Sequence, residues 1–347
     1  MARIAVVVFN LGGPDRPEAV EPFLINLFTD PAILRVPWPI RPLLGRLIAR
    51  RRTRIAQMNY DRIGGGSPIL PNTEAQARAL ETALADAGDV RAFVAMRYWH
   101  PRAKEVAVAV RDYAPDRIVL LPLYPQFSTT TTESSLADWT AAARAAKLAV
   151  PTTTVCCWPA ESGFVAALAD AVRHGMNAAE AKGSPRVLFS AHGLPEEIVR
   201  RGDPYQWQVE RTAEAIAAAV GLARDRWVVC YQSRVGPLKW IGPSTEEEIE
   251  RAGDDKVPAV VVPIAFVSEH SETLVELDIE YRTLAEEAGV PAYVRVPAVG
   301  VDATFVGGLA TIVRSALASG TSWMPPDGHR LCPASVGACP IRPVEAA

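Results

Sequence analysis

An α/β protein built as two parallel-sheet halves is the fold class this sequence predicts, on three observations. Short β-branched runs alternate with Ala-rich amphipathic stretches, the rhythm of strands joined by crossover helices. The strand-like runs fall into two sets of four. Finally, "VVVFNLGGPD" in the first set is echoed by "VLFSAHGLPE" in the second, each an apolar strand passing through a polar residue into Gly and then Pro. A duplicated βα unit explains the echo. Ligands of such folds gather beyond the carboxyl ends of the strands, where both loops are expected.

Taken in order, strands are predicted over 4–9, 90–96, 117–121 and 150–156, then over 187–190, 227–231, 259–263 and 292–296. Helices are predicted over 73–86, 103–113, 134–146, 162–181, 206–220, 271–288 and 302–318. An insertion, 14–72, separates the first two strands and contains "LRVPWPIRPLLGRLIARRRTRI". Leu43, Leu44, Leu47 and Ile48 share a helical face there, with arginines at 46, 50, 51, 52 and 54 on or beside it. Two readings compete: a solvated helix covering the core, or an amphipathic lip that grips carboxylates or touches an anionic membrane surface. From Thr321 the periodicity fades into a Cys- and Pro-rich tail.

Length and composition narrow the function. With 347 residues there is room for two domain cores. A net charge of −3 and 22% charged residues give no general attraction to nucleic acid. No run approaches the ~20 apolar residues that span a bilayer, and the chain enters its first strand directly, so a cytoplasmic location is expected. Five irregularly spaced cysteines argue against a disulfide scaffold. "IGGGSP" and "NLGGPD" lack the spacing of phosphate loops; they read as tight turns or as backbone lying against a flat ligand.

The chemistry concentrates in "FVSEHSETLVELDIEY". On an α-helix Glu269, Glu272, Glu276 and Glu280 stand at i, i+3, i+7 and i+11, one face, with Leu274, Leu277, Tyr281 and Leu284 packing. Like charges at these spacings repel, so the row is either a solvated face or a cation site. It begins at the end of the strand "VVVPIAF", and His270 adds a nitrogen donor; oxygen ligands with imidazole suit ferrous iron or a similar metal. His192, at another strand end, is either satisfied by backbone or meets Glu272 across one cavity, as metal ligand or proton acceptor. Tyr60, "MRYWHP", Tyr124, Phe127 and Trp240 are individually ordinary core. Together with nearby arginines they suit a large planar ligand with acidic arms.

Three long stretches, "FSAHGLP" with "GDPY", "YQSRVGPLKWIGPST" and "PIAFVSEHSETLVELDIEY", occur in this order, with weaker support from "NLGGPD", "DRIGGGSP" and "MRYWHP". On these the chain, over about 4–317, resembles the ferrochelatases, lyases that insert ferrous iron into protoporphyrin IX at the last step of haem synthesis. The resemblance implies two Rossmann-like domains, each with a four-stranded parallel sheet flanked by helices, and a porphyrin between them. The first would be 1–125 plus 300–320 with a porphyrin-lip insertion 14–72, the second 126–299, and the tail 321–347.

By position in the motifs, His192 and Glu272 match the iron-site pair. His270, Glu276 and Glu269 fall on the acidic helix, which in this family is often widened to a π turn. Asn10, Leu11, Arg52, Ser67, Arg97, Tyr98, Tyr124 and Trp240 fall at porphyrin-side positions. The implied partners are protoporphyrin IX and Fe²⁺, both as substrates, with no nucleic acid and with peripheral contact to the inner face of the membrane through 34–55. A coproporphyrin or cobalt chelatase and a non-enzymatic haem or porphyrin carrier stay open as alternatives.

Some ferrochelatases hold a [2Fe–2S] cluster with three cysteines of a C-terminal extension and one from the body. Here the tail offers only Cys332 and Cys339, Ser335 stands where a middle ligand is expected, and Thr129 occupies the body position. The set implied is then Cys157, Cys332 and Cys339, with Cys156 or Cys230 as the fourth, against ordinary buried thiols. Adjacent strand residues point to opposite faces, so Cys156 and Cys157 can both ligate only where the chain bends.

Overall fold

The computed structural model describes residues 2–234 and 236–341. They divide into two units. One runs to Tyr124 and takes in Ser128–Val155 and Ala310–Met324; the other comprises Pro125–Phe127, Cys156–Leu309 and the chain from Pro325. The strands, in chain order, are β1 (Arg3–Asn10), β2 (Asp89–Met96), β3 (Arg117–Pro122), β4 (Thr152–Val155), β5 (Arg186–His192), β6 (Trp227–Gln232), β7 (Ala259–Pro263), β8 (Tyr293–Arg295) and β9 (Trp323–Met324).

In the first unit the strand order is β2-β1-β3-β4-β9 and in the second β6-β5-β7-β8. Every pairing is parallel. A parallel strand with helices on both faces has no wet side, which is why β1 reads "RIAVVVFN" and is buried from Ile4 onward. The order 2-1-3-4 of the first unit recurs as 6-5-7-8 in the second. The echo between "VVVFNLGGPD" and "VLFSAHGLPE" therefore marks equivalent strands, β1 and β5, each flanked on both sides. The chain reverses its direction of winding at these central strands, so their carboxyl ends are topological switch points. At the first, Gly12 adopts φ +84°, and a Cβ there would meet Trp99 N at 3.0 Å.

The four strands expected in the first sheet are joined by a fifth. β9 pairs with β4 through Thr154↔Trp323 and Val155↔Met324, inside the stretch whose periodicity fades. Backbone bonds hold it, among them Thr154 N–H to Ser322 O at 2.9 Å. A two-residue strand held this way leaves no hydrophobic pattern to detect.

The insertion folds into the helices Val20–Phe28 and Ile40–Asp61. They cross closely at Gly45, where a Cβ would stand 2.6 Å from Phe28 O. The longer helix buries Gly45, Ala49 and Tyr60, so the stripe read from the sequence is split: Leu43 is 70% exposed and Leu47 47%, while Leu44 and Ile48 are half-buried. In the second unit Leu188, Val261, Leu277 and Tyr281 share the core between the sheet and the acidic segment.

That segment is helical, as expected over 271–288, and carries the widening that the family resemblance implied. It is a π-helix over Glu272–Glu280, continued by an α-helix over Tyr281–Glu287. Its buried residues are Thr273, Val275 and Leu277, so Leu274 leaves the packed face predicted for it. Glu269 precedes the helix, and the expected row of four aligned carboxylates becomes three.

Candidate active site

β5 ends at His192, β6 beside it at Gln232 and β7 on its other flank at Pro263. These strand ends and the π-helix deliver the polar residues of the second unit to one place. His192 Nδ1 lies 2.9 Å from Glu272 Oε2. His270 Nε2 approaches the same oxygen at 3.8 Å, so two imidazoles flank one carboxylate. His270 Nδ1 lies 3.1 Å from Ser268 O and donates to that carbonyl.

Glu276 is gripped from several sides. Ser233 N–H donates to Oε1 at 2.7 Å, Tyr281 O–H to the same oxygen at 3.0 Å, and Gln232 Nε2 to Oε2 at 2.9 Å. Ser233 O–H also donates to Oε2. Ser190 O–H donates to Gln232 Oε1 at 2.9 Å, which orients that amide with its N–H groups toward Glu276 and the Glu272 carbonyl. The π-helix reconciles two demands: Glu272 and Glu276 must meet polar strand ends while Leu277 and Tyr281 stay in the core. Hydrogen bonds from i to i+5 widen the turn, so that each residue advances by a smaller angle than in an α-helix.

Electrostatics separates the three groups. Burial pulls His192 toward the neutral form, but the charge and hydrogen bond of Glu272, with Glu276 behind, win and raise its pKa. Burial likewise opposes the charge on Glu272, and His192 and His270 overcome it, holding that carboxyl well below the usual range. Glu276 moves the other way: burial and then Glu272 raise it, against its hydrogen bonds to Ser233 and Gln232. A basic imidazole, a fixed anion and a carboxyl that holds its proton more readily than usual stand side by side. Such an array can accept protons and receive a cation.

The remaining predicted residues divide. Glu269 accepts from Arg295 at 2.5 Å and from Ala298 N–H at 2.9 Å, and thus belongs to an ion-pair network rather than to the His192 cluster. Trp240 lies under the loop after His192, its ring 3.3 Å from where a Gly193 Cβ would stand.

In the first unit Arg97 and Tyr98 converge on buried Asp30, at 2.6 and 2.7 Å, and Ser134 donates to the same oxygen. Asn10 donates to Thr73 Oγ1 at 3.0 Å and accepts from Leu11 N–H at 2.8 Å. Ser67 N–H donates to Pro14 O at 2.7 Å. Tyr124 O–H lies 3.4 Å from Ser135 Oγ, and Arg52 sits over the Phe28 ring at 5.8 Å. Sequence reasoning missed Gln232, Ser233, Tyr281 and Asp30. The first two stand in the quoted "YQSRVGP", at the end of a strand flanking β5, where the carboxyl-end rule would have found them.

Four cysteines of the second unit also converge. β4 stops at Val155, so Cys156 and Cys157 leave strand geometry and can turn the same way. Cys156 is within hydrogen-bonding reach of Cys157 and Cys339, and Cys339 of Cys332. Gln208 Nε2 donates to Cys157 Sγ at 3.3 Å and to Cys332 Sγ at 3.2 Å. Its neighbouring thiols and burial push Cys156 up, whereas hydrogen bonds from Cys156 and Cys332 pull Cys339 down to about 3. Cys230 lies apart in β6, accepting from Thr245 O–H at 3.4 Å. Among the described residues no group of three or more His, Cys, Asp or Glu is arranged to hold a single metal ion.

An imidazole and paired carboxylates stand at the switch point of a parallel α/β unit, and in fold the chain is similar to solved structures of the chelatase class. The structure of SirB from Bacillus subtilis with Fe3+ superposes with a TM-score of 0.53 at 14% identity, over 92% of this chain and 97% of that one. DR2241 from Deinococcus radiodurans, described as structurally similar to chelatases, gives 0.51 at 14% identity over 92% of this chain and 56% of its own. At these identities the likeness concerns the fold.

The sequence comparisons are closer. The ferrochelatase family model matches residues 3–317. Ferrochelatases of Phenylobacterium zucineum and Caulobacter vibrioides (strain NA1000 / CB15N) are 55% and 52% identical, each over 98% of both chains. The chain belongs to the ferrochelatase family, metal chelatases that act on a porphyrin and ferrous iron at the last step of haem synthesis.

Proposed function

We propose that the chain inserts ferrous iron into protoporphyrin IX, with His192 accepting a pyrrole proton and Glu272 on the metal side. One observation carries this assignment of roles: the 2.9 Å contact between His192 Nδ1 and Glu272 Oε2. With Nδ1–H donated to the carboxylate, Nε2 is the basic nitrogen, on a side chain 39% exposed. The carboxylate fixes the tautomer and ring orientation and raises the basicity of the imidazole, as an outer partner of histidine does generally.

The reaction releases two protons as Fe²⁺ replaces two ring N–H groups. His192 Nε2 takes one. The raised pKa of Glu276 supports it as the next acceptor. Bending the macrocycle exposes the nitrogen lone pairs to the metal, a ground-state strain that binding energy supplies.

Substituting His192→Ala tests the assignment. Porphyrin affinity, followed by fluorescence, is expected to hold, while iron insertion, followed by Soret absorbance, falls roughly 10²–10⁴-fold, the usual worth of a general base. Near-normal insertion would refute the role. Protoporphyrin and coproporphyrin assayed side by side identify the preferred ring.

We further propose that Cys156, Cys157, Cys332 and Cys339 hold a [2Fe–2S] cluster, which requires four thiolates. All four are buried and linked through hydrogen bonds, and Cys339 is biased toward thiolate, which supports the fit. When bound, such a cluster supplies a one-electron couple. The same reading gives the protein a cytoplasmic location with peripheral membrane contact. Trp38, Leu43, Ile55 and Met58, each more than half exposed beside the arginine cluster, support that contact. No helix among the described residues is long and apolar enough to cross a membrane.

A further inference from the structure

Gln208 is fully buried in the first turn of the helix Tyr205–Val220, and nothing in the iron-insertion chemistry calls for it. Its orientation is fixed by a single bond: Phe127 N–H donates to Oε1 at 2.7 Å. A flipped amide would set donor against donor at that position. The Nε2 end must therefore point the other way, and its two N–H groups meet Cys157 Sγ at 3.3 Å and Cys332 Sγ at 3.2 Å. One sulfur comes from the loop after β4 and the other from the C-terminal stretch, so a single amide bridges two segments 175 residues apart in sequence.

A neutral thiol is a weak acceptor, and a buried amide held against two thiols is poorly satisfied. Thiolates bound to iron are much better acceptors. Neither N–H group can be delivered to water instead. The geometry is that of a donor built for anionic sulfur.

We infer that Gln208 is a positioning residue that stabilises the reduced state of the cluster by hydrogen bonds to Cys157 and Cys332. This rests on the four-cysteine reading above. Reduction adds one electron, converting one ferric ion of the pair to ferrous, and the added charge spreads onto the sulfurs. Donors to those sulfurs favour the reduced form and raise the potential.

The test is a dithionite titration followed by electron paramagnetic resonance, on full-length protein purified anaerobically after iron-replete expression. Gln208→Leu removes both donors at similar volume. Its midpoint potential is expected to fall by the equivalent of a tenfold weaker preference for the reduced cluster, about 59 mV for one electron. Gln208→Glu keeps the length and the acceptor for Phe127 N–H but replaces the donors with a carboxylate, and the fall should be larger. If the leucine variant does not fold, the glutamate variant carries the test. An unchanged potential in the variants, with cluster present, overturns the role of Gln208 and leaves the cluster standing. Wild-type protein without inorganic sulfide or a reduced-cluster signal overturns both.

Discussion

Replacing Glu272 by Gln removes the charge that the surroundings of His192 are arranged around, and the consequences can be worked from the geometry. An opposite charge in hydrogen-bond contact moves a pKa by roughly 1–3 units. Because 39% of the His192 side chain is exposed, solvent screens the pair, and the lower end applies: about one unit, or about 1.4 kcal/mol. Burial, the largest influence on His192, then acts without its main opponent, so the imidazole pKa should drop below its ordinary value.

The pH dependence of stability follows in sign. The folded pKa of His192 is raised, so its contribution is complete below the ordinary value of 6.5 and is lost as pH rises through the folded value. The folded pKa of Glu272 is lowered, so its contribution is present above 4.5 and is lost as pH falls through the folded value. The pair therefore contributes most between about pH 4.5 and 6.5, and urea midpoints of the variant should lose that extra stability there. Proton NMR of the His192 ring follows the pKa directly, and the rate of iron insertion should fall by about 100-fold or more. Glu280→Gln, a surface change two turns on, should leave both readouts nearly unchanged. An imidazole that titrates identically in wild type and Glu272→Gln would refute the coupling, whatever the rates did.

Two more perturbations probe the rest of the molecule. Asp30→Asn leaves Arg97 facing a neutral amide in a site where the two side chains are 13% and 3% exposed; breaking such a pair costs roughly 3–5 kcal/mol. Asp138, 3.7 Å from Arg97, offsets part of it, so about 3 kcal/mol is expected by urea denaturation, and a loss under about 1 kcal/mol would deny Asp30 its anchoring role. Sedimentation with anionic vesicles should show weak binding at low salt that high salt abolishes, and Leu43→Glu should weaken it; binding that survives both salt and substitution would place the contact elsewhere.

Much of this architecture was legible in the sequence because parallel strands buried on both faces write themselves as apolar runs, and because β1 and β5 begin equivalent units with similar turns. His192 and Glu272 were legible for a related reason: strand ends and long motifs fix positions without knowledge of side-chain packing. What escaped was whatever depends on a partner distant in sequence. Arg97 and Tyr98 read as ligand-facing because an arginine beside an aromatic suits an acidic planar molecule, yet Asp30, 67 residues away from Arg97, engages both. Glu269 fell into line with the other carboxylates only under a uniform helical period. The true start of the helix and Arg295 remove it. Gln208 had no local signature at all, since glutamine in the first turn of a helix is ordinary until its two sulfur partners are known.

The π-helix has a consequence for which changes this chain can tolerate. Its turns hold more residues than ordinary helical turns, and both of its ends are tied down, Glu272 to an imidazole and Tyr281 to the core. Tightening the segment into regular i to i+4 turns at constant length would advance every residue by about 100° instead of the smaller step of the wider turn, so that either the carboxylate would leave His192 or the tyrosine would leave its packing. The two attachments, rather than the residues between them, therefore hold this backbone out of its preferred period.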